Sequence, residues 1–128
     1  MSSRPGLSRG LSTEPRATGY NEMVNRGSAA AYGSRFDARR TGEGRYSLEG
    51  ELDLTTAPVL ESVLERDPAQ QLTFDTARLS FLDSSGMRVL LKAIVSGRTI
   101  TIRQPTATVA RTIRMSGVDR LPGLSVEE

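Results

Sequence analysis

The sequence predicts an α/β domain in which helices pack on a mixed β-sheet entered through an initial β-hairpin. Three observations carry this: two short strand-like runs meet across the turn-like TGEG, two later segments show the apolar spacing of one helical face, and strand patterns alternate with those helices after the hairpin. At 128 residues the chain is of ordinary size for one domain and can bury a core without disulfides or a metal.

The hairpin comprises SRFDARR from Ser34 and RYSLEGELDL, joined by a glycine-containing turn. A helix follows: Thr55 or Thr56 can cap it, Pro58 suits its first turn, and Leu60, Val63 and Leu64 recur at the spacing of a buried face. Asp67-Pro68 ends it, because the residue before proline disfavours the helical region. QQLTFDTA reads as a strand with Leu72 and Phe74 on one face, whereas RLSFLD holds too few apolar residues to assign alone. The best-defined helix starts in DSSG, with Met87, Leu90, Leu91 and Ile94 inward, Arg88 and Lys92 outward, and Gly97 as its stop. RTITIRQP then alternates Ile100 and Ile102 with Thr and Arg as a half-buried strand. TATVARTIRMSG is a second amphipathic helix, with Val109, Ala110 and Ile113 inward and Gly117 at its C-terminal end.

The chain contains no Cys and no His, which excludes disulfide frameworks, thiol nucleophiles, imidazole acid-base chemistry and most zinc or transition-metal sites. The net charge of +2 is unevenly divided: residues 1 to 45 hold eight Arg against four acidic residues, whereas 46 to 128 hold nine basic against eleven acidic. The folded part is thus slightly acidic, and no nucleic-acid partner is expected. Residues 1–34 lack useful periodicity apart from a short Ala run and read as a disordered basic tail, with Met23 inside it as an alternative start, so the domain is expected over 35–128. Without a signal-peptide core or an apolar stretch near the roughly 20 residues a membrane span needs, a soluble cytoplasmic protein with no membrane partner is expected.

Three motifs, GELDLTTAP at 50–58, LSFLDSSGMRVLL at 79–91 and RMSGVDRL at 114–121, resemble the STAS domain, and their order and spacing resemble those of bacterial anti-sigma factor antagonists. The fold implied is a STAS-like mixed sheet with helices packed on it. The activity implied is binding, not catalysis: the unphosphorylated antagonist binds an anti-sigma factor that is also a serine kinase, releasing a sigma factor. The kinase then phosphorylates the antagonist, and a serine phosphatase restores it. In the family the first Ser of the D-S-S-G turn is modified, which falls on Ser84 here, while ATP and magnesium belong to the kinase. No cofactor or metal is implied for this chain. Two departures from the family pattern stand out. The segment between DSSG and RTITI is about one helical turn short, and the sequence stops soon after SGVDRLPGL, where relatives often continue into another strand and a terminal helix, so a less covered surface is expected.

A serine where a strand gives way to a helix presents its hydroxyl beside unpaired N–H groups, within reach of a kinase. Ser84, Ser85 and Asp83 can each cap the helix, and the residues alone do not choose among them. Phosphate adds about −1.5 to −2 charges where the helix dipole favours an anion by roughly 0.3 to 1 kcal/mol, so local unfolding is not expected. If Asp83 and the Asp53 loop lie near it, their repulsion opposes the dipole, and with the desolvation of a dianion in a fitted interface this would expel the partner. The candidate partner-binding set is Asp53, Asp83, Ser84, Ser85, Gly86 and Arg88. Asp53 is equally readable as a turn residue, and Met87 as core. An alternative is a STAS adaptor, not switched by phosphate, in a sensor or lipid-transport complex. A serine hydrolase is disfavoured, since D-S-S-G is not G-x-S-x-G and neither His nor an evident Lys base accompanies it.

Overall fold

The structure, a computed structural model, describes residues 34–128. The tail expected over residues 1–34, with Met23, therefore lies outside the described residues except for Ser34. In chain order the elements are β1 (Phe36–Gly42), β2 (Arg45–Leu52), α1 (Ala57–Arg66), β3 (Gln71–Leu82), α2 (Ser84–Val95), β4 (Thr99–Arg103), α3 (Ala107–Ser116), a single 3-10 turn (Val118–Arg120) and β5 (Leu124–Glu127).

The five strands lie side by side in sequence order. β1 and β2 form the expected antiparallel hairpin, and β2, β3, β4 and β5 are mutually parallel. Each parallel step is crossed by one helix, and because all three steps run in the same direction, right-handed connections place every helix on one face. Burial agrees. Tyr46 and Leu48 of β2, Leu72, Phe74 and Thr76 of β3, Ile100 and Ile102 of β4 and Leu124 of β5 are buried beneath Leu60 and Leu64 of α1, Leu90 of α2 and Val109 and Ile113 of α3. The opposite face is polar and carries a transverse ion-pair ladder. Asp75 lies 3.3 Å from both Arg45 and Arg103, and Arg103 lies 3.4 Å from Glu127. These pairs are partly solvated and contribute little individually.

Helix α1 ends at Asp67 as Pro68 requires, and Arg98 closes its exposed carbonyls. The guanidinium donates to Leu64 O at 2.9 Å, Asp67 O at 2.6 Å and Ala69 O at 2.9 Å. Tyr46 donates to the Asp67 carboxylate, and burial followed by that bond pushes the phenol well above its usual value. Gly117, at φ 81°, occupies the left-handed position that ends α3.

Three expectations change. QQLTFDTA and RLSFLD form one continuous strand of 12 residues, whose buried positions pass from every second residue (72, 74, 76) to every third (79, 82) opposite register shifts in β2. That change of period hides the strand from pattern analysis. In α2 the inward stripe is Gly86, Met87, Val89, Leu90 and Ala93, while Leu91 and Ile94 are only partly buried. Despite the short spacing, α2 still forms 12 residues. Finally, the last residue of SGVDRLPGL opens a strand of four residues, β5. Its two apolar residues are too few for a period-2 signal.

Candidate functional site

The candidate residues gather at the C-terminal ends of β2 and β3. Leu52 pairs with Leu82 in register, so Asp53 and Asp83 leave the sheet side by side, and Asp83 N donates to Leu52 O at 3.2 Å. Open parallel sheets place their sites at this edge.

Both aspartates organise the turn that leads into a helix with the same bonds. Asp83 Oδ1 accepts from Ser85 N at 2.8 Å and Gly86 N at 3.2 Å, and its carbonyl accepts from Met87 N at 2.9 Å. Asp53 Oδ1 accepts from Thr55 N at 3.0 Å and Thr56 N at 3.2 Å, and its carbonyl accepts from Ala57 N at 2.7 Å. Asp83 is therefore the N-cap of α2, which decides among the three residues left open by the sequence. For α1 the sequence pointed to Thr55 or Thr56. Thr56 occupies the cap position without a side-chain capping bond, and its buried hydroxyl instead donates to Glu51 O at 2.7 Å and accepts from Asp53 N at 2.9 Å.

Asp53 also accepts from the hydroxyls of Thr55, at 2.9 Å, and Ser34. Burial pushes its carboxyl up, but the bonds from Ser34, Thr55 and Thr56 outweigh this and hold it below the usual carboxylate value. Its structural duty in the turn is thus explicit. The segment entering β1 is fixed here too, with Glu51 N donating to Arg35 O at 2.7 Å.

Ser84 is the first residue of α2, is exposed, and has no side-chain hydrogen-bond partner among the described residues. Ser85 is half-buried on the wall of an open groove between α1 and α2. Gly86 is buried. A Cβ there would stand 2.7 Å from Leu52 Cγ and 2.7 Å from Leu82 Cδ1, so the glycine lets the first helical turn sit directly on the strand ends. Gly86 can meet a partner only through its backbone. Arg88 is exposed on the groove rim, and Met87 is core at 5% exposure.

Sequence reasoning missed Leu54 and Val95, which line the groove at 74% and 84% exposure and leave apolar surface in water, Leu54 in the loop beside Asp53 and Val95 at the far end of α2. It also missed the Lys92–Glu61 ion pair between the two helices. A signal for Leu54 was present: LDLT at 52–55 echoes LDSS at 82–85, placing Leu54 where Ser84 stands in the other loop. Each directly follows the aspartate of its turn and is exposed.

The family described as "Mlab, STAS domain" matches residues 36–124, and this chain belongs to the STAS domain family. Direct comparison with curated proteins finds no match. Among solved structures it is similar to an anti-sigma factor antagonist from Mycobacterium paratuberculosis (23% identity, TM-score 0.59, covering 72% of this chain and 85% of that one). It is also similar to the anti-sigma factor antagonist SpoIIAA in its unphosphorylated form (19% identity, TM-score 0.55, covering 73% and 89%). The Bacillus cell fate determinant SpoIIAA in the phosphorylated form aligns at 21% identity with TM-score 0.50, covering 73% and 92%. At these identities the likeness shows a shared fold. No helix among the described residues is long and apolar enough to cross a membrane.

Proposed function

We propose that this chain is an anti-sigma factor antagonist switched by phosphorylation of Ser84. The unmodified form binds an anti-sigma factor that is also a serine kinase and so frees a sigma factor; phosphate on Ser84 releases the partner, and a serine phosphatase restores binding. The observation that carries the reading is the Ser84 hydroxyl, exposed and unbonded among the described residues, while the adjacent Asp83 caps the helix. A serine relieved of structural duty can be modified without dismantling the helix that presents it. Membership of the STAS family, and a fold shared with proteins described as anti-sigma factor antagonists, support the same role.

The partner surface comprises Ser84, Ser85, Arg88, Asp83, the Gly86 backbone and the Asp53 loop, continued by Leu54. A group of about −1.5 to −2 charges set beside Asp53 and Asp83 meets repulsion that opposes the favourable helix dipole, and its desolvation in an interface is costly. Every 1.4 kcal/mol of net penalty lowers affinity about tenfold. The protein acts by binding: the chain has no His or Cys to activate Ser84, and ATP and magnesium enter with the kinase.

A second reading, favoured by the Mlab description of the matching family, is a STAS adaptor that phosphate does not switch. Phosphopeptide mapping after incubation with co-purified kinase and ATP separates the two. Modification at Ser84, lost in Ser84→Ala and kept in Ser85→Ala, with weaker partner binding afterwards, is expected. Because Ser84 makes no capping bond, Ser84→Ala should change stability by less than about 0.5 kcal/mol and leave binding of the unmodified form intact. Modification at Ser85 alone, or equal affinity before and after phosphate reaches Ser84, refutes the switch.

A further inference from the structure

We propose that phosphorylated Ser84 captures the guanidinium of Arg88, so that modification reverses the sign of this rim as well as adding charge to it. The proposal rests on the reading that Ser84 is the modified residue. Ser84 and Arg88 are four residues apart on α2, the spacing that brings side chains together on one helix face. Both are exposed, whereas Gly86, Met87, Val89 and Leu90 around them are buried. The pair therefore shares the outer surface of the first turn and a half.

The cations around α2 differ in what already holds them. Lys92 is paired with Glu61, and Arg98 is bonded to three carbonyls at the end of α1. Arg88 has no ion-pair partner among the described residues. The usual anion donors at a helix start are in use as well, since Ser85 N and Gly86 N both donate to Asp83 Oδ1. A phosphate on Ser84 thus finds the Asp83 and Asp53 carboxylates on the sheet side and, on the helix side, the guanidinium of Arg88, unengaged among the described residues. Guanidinium binds phosphate oxygens in a bidentate, charge-assisted manner.

Before modification, Arg88 is a cation unpaired among the described residues on the groove wall next to Ser85, a site suited to a carboxylate of the partner. After modification the same cation is engaged within the helix, and the Ser84–Arg88 pair carries about −0.5 to −1 instead of +1. The partner then loses its counter-charge and meets an anion in its place.

The capture can be read without any partner. Phosphoserine is inserted at position 84 of the full chain by nonsense-codon suppression, and its second ionisation is followed by 31P NMR titration in the parent, Arg88→Gln and Arg88→Lys. A neighbouring cation favours the dianion, so Arg88→Gln should raise the phosphate pKa by about 0.3 to 0.7 unit, with Arg88→Lys between the two. An equal pKa in the parent and Arg88→Gln overturns the capture. Inserted phosphoserine requires no kinase, so that outcome leaves the proposed function standing, whereas a kinase that ignores Ser84 refutes the function and not the pairing.

Discussion

Replacing Gly86 by alanine tests how tightly the serine-bearing turn is seated. The added methyl would lie 2.7 Å from Leu52 Cγ, 2.7 Å from Leu82 Cδ1 and 3.0 Å from Leu52 Cδ2. Both leucines are almost fully buried, at 1% and 3% exposure, and they end the two strands from which the site loops depart. Ordinary carbon contacts need about 3.5 to 4.0 Å, so the helix start must lift or the leucines must leave their rotamers. Overpacking of this kind costs roughly 1 to 3 kcal/mol, while the helical preference of Ala over Gly returns at most about 1 kcal/mol. The expected net loss is about 1 to 2 kcal/mol, or roughly 5 to 15 °C in Tm for a domain of this size. Urea denaturation with an unchanged m-value is the assay. In a Leu52→Ala background the methyl enters vacated space, so the cost of Gly86→Ala should shrink. Gly86→Ala as stable as the parent, or costs that add with Leu52→Ala, would refute close packing as the reason for this glycine.

Arg98→Ala should destabilise by roughly 1.5 to 3 kcal/mol, because three carbonyls at the end of α1 lose a charged donor, and Arg98→Lys should recover less than half, since one ammonium cannot span them; equal stability of Lys and Arg in thermal melts would refute the cap. Asp53→Ala should cost about 0.5 to 2 kcal/mol at pH 7 through loss of the turn's acceptor. The Asp53 carboxyl is depressed in the fold, so its contribution is present above the unfolded carboxylate value near pH 4 and disappears as pH falls through the lower folded value. Denaturation curves of parent and Asp53→Ala should therefore converge in acid, and a gap that widens below pH 4 would contradict the hydrogen-bonded carboxylate.

Most of the architecture was legible because the two periodicities were clean where one face alone is buried. Ile100 and Ile102 in β4, and Val109, Ala110 and Ile113 in α3, are buried as their spacing required. Pattern reading failed where a tertiary feature changed the period. Residues 77–82 belong to β3, yet its register shifts against β2 spread the inward positions three apart. In α2 the glycine at position 86 draws the helix start onto Leu52 and Leu82, turning the stripe so that Leu91 lines the groove. The candidate residues come together at one edge of the sheet, but their division of labour was not legible. Composition cannot tell which of three adjacent polar residues caps a helix, because the answer depends on the angle at which the strand delivers them. Leu54 went unnoticed since a lone apolar residue in a loop carries no periodicity, and its equivalence to Ser84 appears only when the two aspartate turns lie side by side.

That equivalence bears on how a switch can operate here. Each turn spends its aspartate on the N–H groups of the second and third residues after it, leaving the side chain directly after the aspartate outside that set of bonds. In the first loop that free position holds Leu54, and in the second it holds Ser84. One offers constant apolar surface and the other, under the proposed modification, would offer a surface whose charge changes, both set at the same edge by paired strand ends. A partner resting on both would gain apolar contact from Leu54 that phosphate leaves unchanged, so affinity would be set at one loop and regulated at the other. Had Ser84 been the cap, phosphate would have competed with the helix's own N–H groups, and modification would have altered the fold along with the interface. With Asp83 holding those groups, phosphate on Ser84 would change the charge while the backbone that displays it stayed in place.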